Sequence, residues 1–195
     1  MKKLFIAFLF TFISNAHAGF LVEPYLNYNF GSGDYKWSAQ SYDVSTSEPN
    51  YGAKLGYQFL GLMAGMDFNL GSYAWDETNN GTKTKFDLDT TRVGIFAGYE
   101  LPILLRAWVG YYFSNSAEYT KSYSDGTNKG DTFKGSAIEL GVGFTPLPLL
   151  SVNIGYRMNS YDEFEYASGS KVALNGDQET NINEIFFGVS LPFNL

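Results

Sequence analysis

The sequence predicts an all-β fold, an eight-stranded antiparallel up-and-down transmembrane β-barrel. Three observations carry this reading. Apolar residues recur with period two along almost the whole chain after Gly19, which is the alternation of a strand whose side chains point to opposite faces. One phase of that alternation carries no charge, while the other gathers the charged residues and most glycines. Tight and long connections then alternate between the strands, as in barrels whose two ends face different environments.

The strands are expected near 20–30, 50–59, 62–73, 90–101, 104–115, 135–145, 149–160 and 181–194. Three connections are tight: Leu60-Gly61, Pro102-Ile103 and Pro146-Leu147-Pro148. Four are long and polar, over 31–49, 74–89, 116–134 and 161–180. Ahead of the first strand, Met1-Lys2-Lys3, the apolar run Leu4 to Ile13 and the small-x-small pattern Ala16-His17-Ala18 read as a signal peptide over 1–18. Ten apolar residues are too few to span a bilayer as a helix. The barrel domain is therefore expected over 19–195, exported to the bacterial outer membrane after cleavage.

The apolar phase runs through 38 positions, among them Leu55, Phe68, Ile95, Val109, Leu140, Ile154 and Phe187. At the overall 17% charge, about six of them would be charged if phase were irrelevant, and none is. These positions are expected to face lipid. The opposite phase holds Glu23, Lys54, Asp67, Arg92, Glu100, Arg106, Glu139, Arg157 and Glu184, which predicts a charge network inside the lumen. It also holds eleven glycines, from Gly52 to Gly188. Glycine weakens a strand, but eight strands enclose space for few side chains, so a narrow lumen explains them. A soluble barrel with the apolar phase inside fails on the same volume argument.

Composition narrows the chemistry. There is no Cys, and the one His, His17, lies in the expected leader. Thiolate sites, His-based triads and His-ligated zinc are excluded from the mature chain. Loss of Lys2 and Lys3 leaves 11 basic against 20 acidic residues, so no nucleic-acid partner is expected. Inside the lumen, acids and bases that pair in a confined interior account for the charged phase without any reaction. The stretch Asp76 to Asp87 weakly imitates a calcium loop through Asp76, Asn80, Gly81 and Asp87, but Thr78 stands where Asp or Asn belongs. A solvated loop is the plainer reading, and no metal or other cofactor is expected. Of the loop aromatics, Tyr35, Trp37, Tyr42, Tyr119 and Tyr123 suit either partner binding or interface anchoring, and Trp75 and Tyr161 are expected in the outer aromatic girdle.

The repeats LGYQF, AGYEL, VGYYF, VGFTP and IGYRM resemble strands of the small eight-stranded outer-membrane barrels, the OmpA/OmpX-like superfamily. The resemblance implies insertion by the barrel-assembly machinery and both termini in the periplasm. It also implies that an enzyme is disfavoured, because the barrel enzymes of this membrane mostly use His. The chain departs from such barrels in ending Phe193-Asn194-Leu195 rather than on an aromatic residue. The expected role is non-enzymatic: envelope integrity and contact with an extracellular protein or glycan through the four long loops. OmpW-like passage of a small hydrophobic molecule is the alternative, and an outer-membrane enzyme comes third.

Overall fold

In the computed structural model the described residues are 18–37, 40–79, 81–147, 149–174, 178 and 180–195. The expected leader lies outside them except for Ala18, as do Asn80 and the side chain of Trp37. Seven long strands follow one another as β1 (Gly19–Trp37), β2 (Gln40–Phe59), β3 (Leu62–Asn79), β4 (Thr82–Glu100), β5 (Leu105–Tyr119), β6 (Thr132–Leu147) and β7 (Leu150–Glu165). A short β8 (Lys171–Ala173) folds back on β7, and β9 (Thr180–Ser190) completes the wall, with β10 (Phe193–Asn194) beside β1. Each long strand pairs antiparallel with its neighbour in sequence. β9 pairs with both β7 and β1, which closes an eight-stranded ring and removes its edges.

The long polar connections are shorter than the sequence suggests. β1 and β2 pair residue by residue up to Trp37 and Gln40, and β3 and β4 up to Asn79 and Thr82. What reads as loop over 31–49 and 74–89 is therefore strand that continues past the apolar belt. Most of its polar residues face out, while Tyr35, Trp75, Phe86 and Leu88 face in, so its hydropathy alternation has the opposite sign. Bulges keep the phase correct. The β5–β6 register shifts between Tyr112 and Asn115, and Phe113 and Ser114 both face out. Trp108 and Tyr112 below the bulge and Asn115 and Tyr119 above it then all point inward.

The tight turns define the lower end of the barrel and the long hairpins the upper end. Leu60 and Gly61 both have positive φ, 52° and 82°, the signature of a type I′ hairpin turn. Leu104 also has positive φ, 63°, in the turn where the Leu101 N–H donates to the Leu105 carbonyl at 2.7 Å. A left-handed leucine costs about 1–2 kcal/mol, so two of them in the lower turns require compensation.

Candidate functional site

The interior is divided between a charged lower storey and an aromatic upper one. In the lower storey β1 to β7 and β9 present their inward phase. Glu23, Lys54, Asp67, Arg92, Arg106, Glu139, Arg157 and Glu184 are all buried, and Glu100 at the lower mouth is half-buried, accepting from Gln58 Nε2 at 2.7 Å. Strand register brings them together. Arg157 is placed opposite Glu139 on β6 and Glu184 on β9, and its guanidinium reaches them at 2.7 and 3.1 Å. Lys54 faces Asp67 across the β2–β3 ladder, with their charges 3.1 Å apart and the ammonium over the rings of Tyr25 and Trp108. Arg106 pairs with Glu23 across the bore.

Hydroxyls and an indole complete the shell. Tyr25 donates to Asp67 at 2.6 Å, Tyr112 donates to Asp67 and Glu139 at 2.9 and 3.1 Å, and Trp108 Nε1 donates to Glu139 at 2.8 Å. Removing one partner from such a network leaves a buried charge, which costs several kcal/mol.

One member of the network lies in a stretch, 31–49, whose sequence pattern reads as loop. Glu48 is fully buried on β2, receives Arg92 Nη1 at 2.9 Å and Asn29 Nδ2 at 2.6 Å, and is bonded by Thr90. Arg92 also donates to Asn69 and, at 2.8 Å, to the Tyr73 hydroxyl. The available signal was the continued alternation Val44, Thr46, Glu48, which points all three inward.

Glycines make room for these side chains. A Cβ at Gly141 would strike the Trp108 indole, and one at Gly155 would strike the Phe186 ring. The opposite faces of the same strands carry Leu55, Phe68, Ile95, Val109, Leu140, Ile154 and Phe187, all exposed.

Above Arg92 the lumen changes character. Val44, Tyr73, Trp75, Phe86, Leu88, Ala117, Tyr119, Phe133, Tyr161, Phe164, Leu174 and Ile182 form one buried cluster, with Tyr35 and Tyr123 against it. Phe133 is its hub. It stacks on Trp75 with centroids 5.6 Å apart and planes 8° from parallel, and meets Tyr35, Tyr119, Tyr161 and Phe164 as well. The girdle expected of Trp75 and Tyr161 is thereby corrected, because both rings are inside the barrel, 0% and 1% exposed. The outward aromatics nearest the upper end of the apolar belt include instead Tyr28, Phe30, Tyr51, Tyr111 and Phe113. Glu77 sits at the rim of this cluster, accepting from Trp75 Nε1 at 2.9 Å, and burial pushes its carboxyl up to about 7.

The calcium-like stretch is a hairpin rather than a loop. Ala74 pairs with Asp87 and Asp76 with Lys85 across the β3–β4 ladder. Asp76 meets Lys85 at 3.4 Å and Asp87 meets Lys121, so the two carboxylates serve separate lysines. Asp125-Gly126 and Gly130-Asp131 fall in turns, with positive φ at both glycines. The Asp131 carboxylate accepts the backbone N–H groups of Asn128 and Ala167, at 2.8 Å each.

A closed antiparallel ring with an apolar belt outside and paired charges inside defines an integral outer-membrane β-barrel. The chain belongs to the family of the outer membrane protein beta-barrel domain, which it matches over residues 4–193. It resides in the bacterial outer membrane. Among solved structures it is similar to Neisserial surface protein A, at 17% identity, covering 90% of this chain and 99% of that one, with a TM-score of 0.57. It is also similar to Ail, the attachment invasion locus protein of Yersinia pestis, in complex with the heparin analogue sucrose octasulfate (11% identity, 90% and 99% covered, TM-score 0.53). A third similar structure is the outer membrane protein OprG from Pseudomonas aeruginosa (11% identity, 92% and 98% covered, TM-score 0.50). At these identities the likeness is one of fold. No curated protein matches the chain in sequence.

Proposed function

We propose that the protein is a plugged, non-enzymatic barrel that displays its upper hairpins to a protein partner at the cell surface. The carrying observation is the double filling of the bore, with ion pairs below and stacked rings above. Such an interior anchors a scaffold rather than conducting solute, and rigid scaffolds carry function on their outer hairpins. The upper face gives the partner a charge. Among the described residues ten acids reach solvent there, Asp34, Asp43, Asp76, Asp87, Asp89, Glu118, Asp125, Asp162, Glu163 and Glu165, against six lysines, Lys83, Lys85, Lys121, Lys129, Lys134 and Lys171. Charge complementarity favours a basic protein face over a sulfated glycan, unlike the ligand seen on Ail. The fold shared with Neisserial surface protein A and Ail is consistent with a surface role. Insertion by the barrel-assembly machinery is part of the same proposal.

Passage of a small hydrophobic molecule through the wall is a second reading with one observation in its favour. The β2–β3 ladder is interrupted between Ser47 and Asn50, where Pro49 has no N–H to give, and a groove of about 730 Å³ lies outside it. Behind the gap stand Glu48, Asn50 and Arg92, which an apolar solute would have to desolvate.

Swelling of proteoliposomes and binding by barrels in lipid nanodiscs separate the two readings. The expected result is no swelling, retention on an immobilised basic extracellular-matrix protein, and none on heparin. Retention should weaken in D87N/D89N/E118Q. Sugar-permeable vesicles, or retention on heparin alone, would overturn the proposal.

A further inference from the structure

The lower rim is apolar beyond what a turn in water requires. Residues 59–62, 101–105, 144–150 and 191–195 contain no charged residue, and their only polar side chains are Thr145 and Asn194. Leu60, Ile103, Leu104, Leu147, Leu149 and Leu195 are all more than half exposed. The nearest charged side chains, Glu100 and the Arg106–Glu23 pair, lie on the inward phase.

Two features point to the occupant of this rim. The first is continuity with the lipid belt. The outward apolar run of β6 from Ile138 to Phe144 rises only about 15 Å at about 3.3 Å per residue and about 40° tilt. An outer-membrane barrel needs an apolar band of about 25 Å. Pro146 and Leu147 supply most of the difference, and Ile103 does the same below Leu101 on the β4–β5 hairpin. The second is backbone strain. Leu60 and Leu104 have φ of 52° and 63°, a region that favours Gly, Asn and Asp. Leu60 occupies the first position of a type I′ turn, where Asn-Gly is the preferred pair. In water an exposed leucine on a strained backbone has nothing to offset it, whereas in lipid the side chain is buried.

We infer that the three lower turns are immersed in the periplasmic leaflet, with Leu60, Ile103, Leu104, Leu147 and Leu149 against phospholipid. These three turns then end within the leaflet, and the lower mouth opens at headgroup level.

The sign of one substitution tests this. L60N creates the preferred Asn-Gly turn, so a turn in water gains stability from it, while a turn in lipid loses an apolar contact. In phosphatidylethanolamine/phosphatidylglycerol vesicles the urea midpoint should fall for L60N and L104N, and a rise in both would overturn the inference. A depth measurement stands independently of these variants. The described residues and the full sequence contain no cysteine, so I103C, V109C and K129C can each carry one fluorophore in lipid nanodiscs. Quenching at 103 by acyl-chain bromine should resemble that at 109, with iodide several-fold less effective than at 129. Iodide quenching at 103 equal to that at 129 would place the turn in water. Protection that disappears as the barrels are diluted in vesicle lipid would assign the rim to a second copy, which also overturns the inference.

Discussion

In the lower half of this barrel an arginine points inward and an isoleucine outward, at Arg157 and Ile154; in the upper half a tryptophan points inward and a lysine outward, at Trp75 and Lys85. The strands are continuous between the halves, so backbone geometry is not the variable. The solvent is. Where lipid surrounds the wall, apolar side chains lose nothing outside and charges are confined to the lumen. Where water surrounds it, aromatic rings gain by burial and the same lumen becomes an ordinary hydrophobic core. The contrast shows how one chain can be inside-out below and soluble-like above, with Arg92 bridging the storeys through Glu48 and the Tyr73 hydroxyl.

The contrast is sharpest under truncation. R157A leaves Glu139 and Glu184 without their closest cation, and should cost about 3–5 kcal/mol, read as a lowered urea midpoint in vesicles. F133A removes the hub of the upper cluster at a similar cost of about 3–5 kcal/mol. Its loss should appear first as faster hydrogen exchange above Arg92, with the lower strands still protected. If F133A exposed both halves together, the division into two storeys would be wrong.

Arginine on the outer face is the next measure. V109R and I154R should each cost about 2–4 kcal/mol, whereas A74R, beside Asp87 on the wet wall, should be tolerated. Heat-modifiable gel mobility after refolding into vesicles reads all three. Equal loss at 74 and 154 would remove the distinction between the walls.

A pH titration probes the upper half alone. The folded Glu77 carboxyl titrates at about 7, above its usual value of 4.5. The folded state therefore holds a proton between those values that the unfolded state releases. The associated stability is fully present below about pH 4.5 and is lost as pH rises through about 7, up to about 3 kcal/mol. Local protection around Trp75, corrected for the intrinsic base-catalysed rise of exchange, should fall between pH 5 and 8, and E77Q should abolish that fall. The smallest effect is expected at the exposed pair Lys121–Asp87, where K121A should leave the urea midpoint unchanged.

Legibility in the sequence follows the same boundary. Below it, Tyr51, Ala53, Leu55 and Tyr57 alternate with Gly52, Lys54 and Gly56, and the chargeless phase indicates both strand and orientation. Above it, Ser45 and Ser47 alternate with Val44, Thr46 and Glu48, and Ala74 and Asp76 with Tyr73, Trp75 and Glu77. Short polar residues there resemble loop composition, and an aromatic next to a polar residue resembles an interface anchor. The bulge at Phe113–Ser114 further hides the phase by moving it one residue within β5. The sequence pattern groups the inward charges without Glu48 and without their partners. Lys54–Asp67 and Arg157–Glu139 follow from hairpin register, but Arg106–Glu23 crosses the lumen and depends on shear and tilt, which no local pattern records.

The seam between β1 and β9 has a consequence in time. Every other long pairing joins neighbours in sequence, but Tyr35 meets Thr180 and Tyr25 meets Ser190, 145 and 165 residues apart. Pairings of such separation form slowly because chain entropy is lost before contacts return it. Until this seam closes, Glu184 lacks Asn29, which sits on β1, and Arg157 is without its barrel-spanning neighbourhood. Lys54–Asp67, Arg157–Glu139 and Arg157–Glu184 can pair between sequential strands, but Arg106–Glu23 and Arg92–Glu184 span the bore. Ring closure and completion of the charge network should therefore arrive in one late step, with hairpins assembled earlier. Slowing of that step by N29A, with the early hairpin signal unchanged in stopped-flow fluorescence, is the kinetic signature to look for.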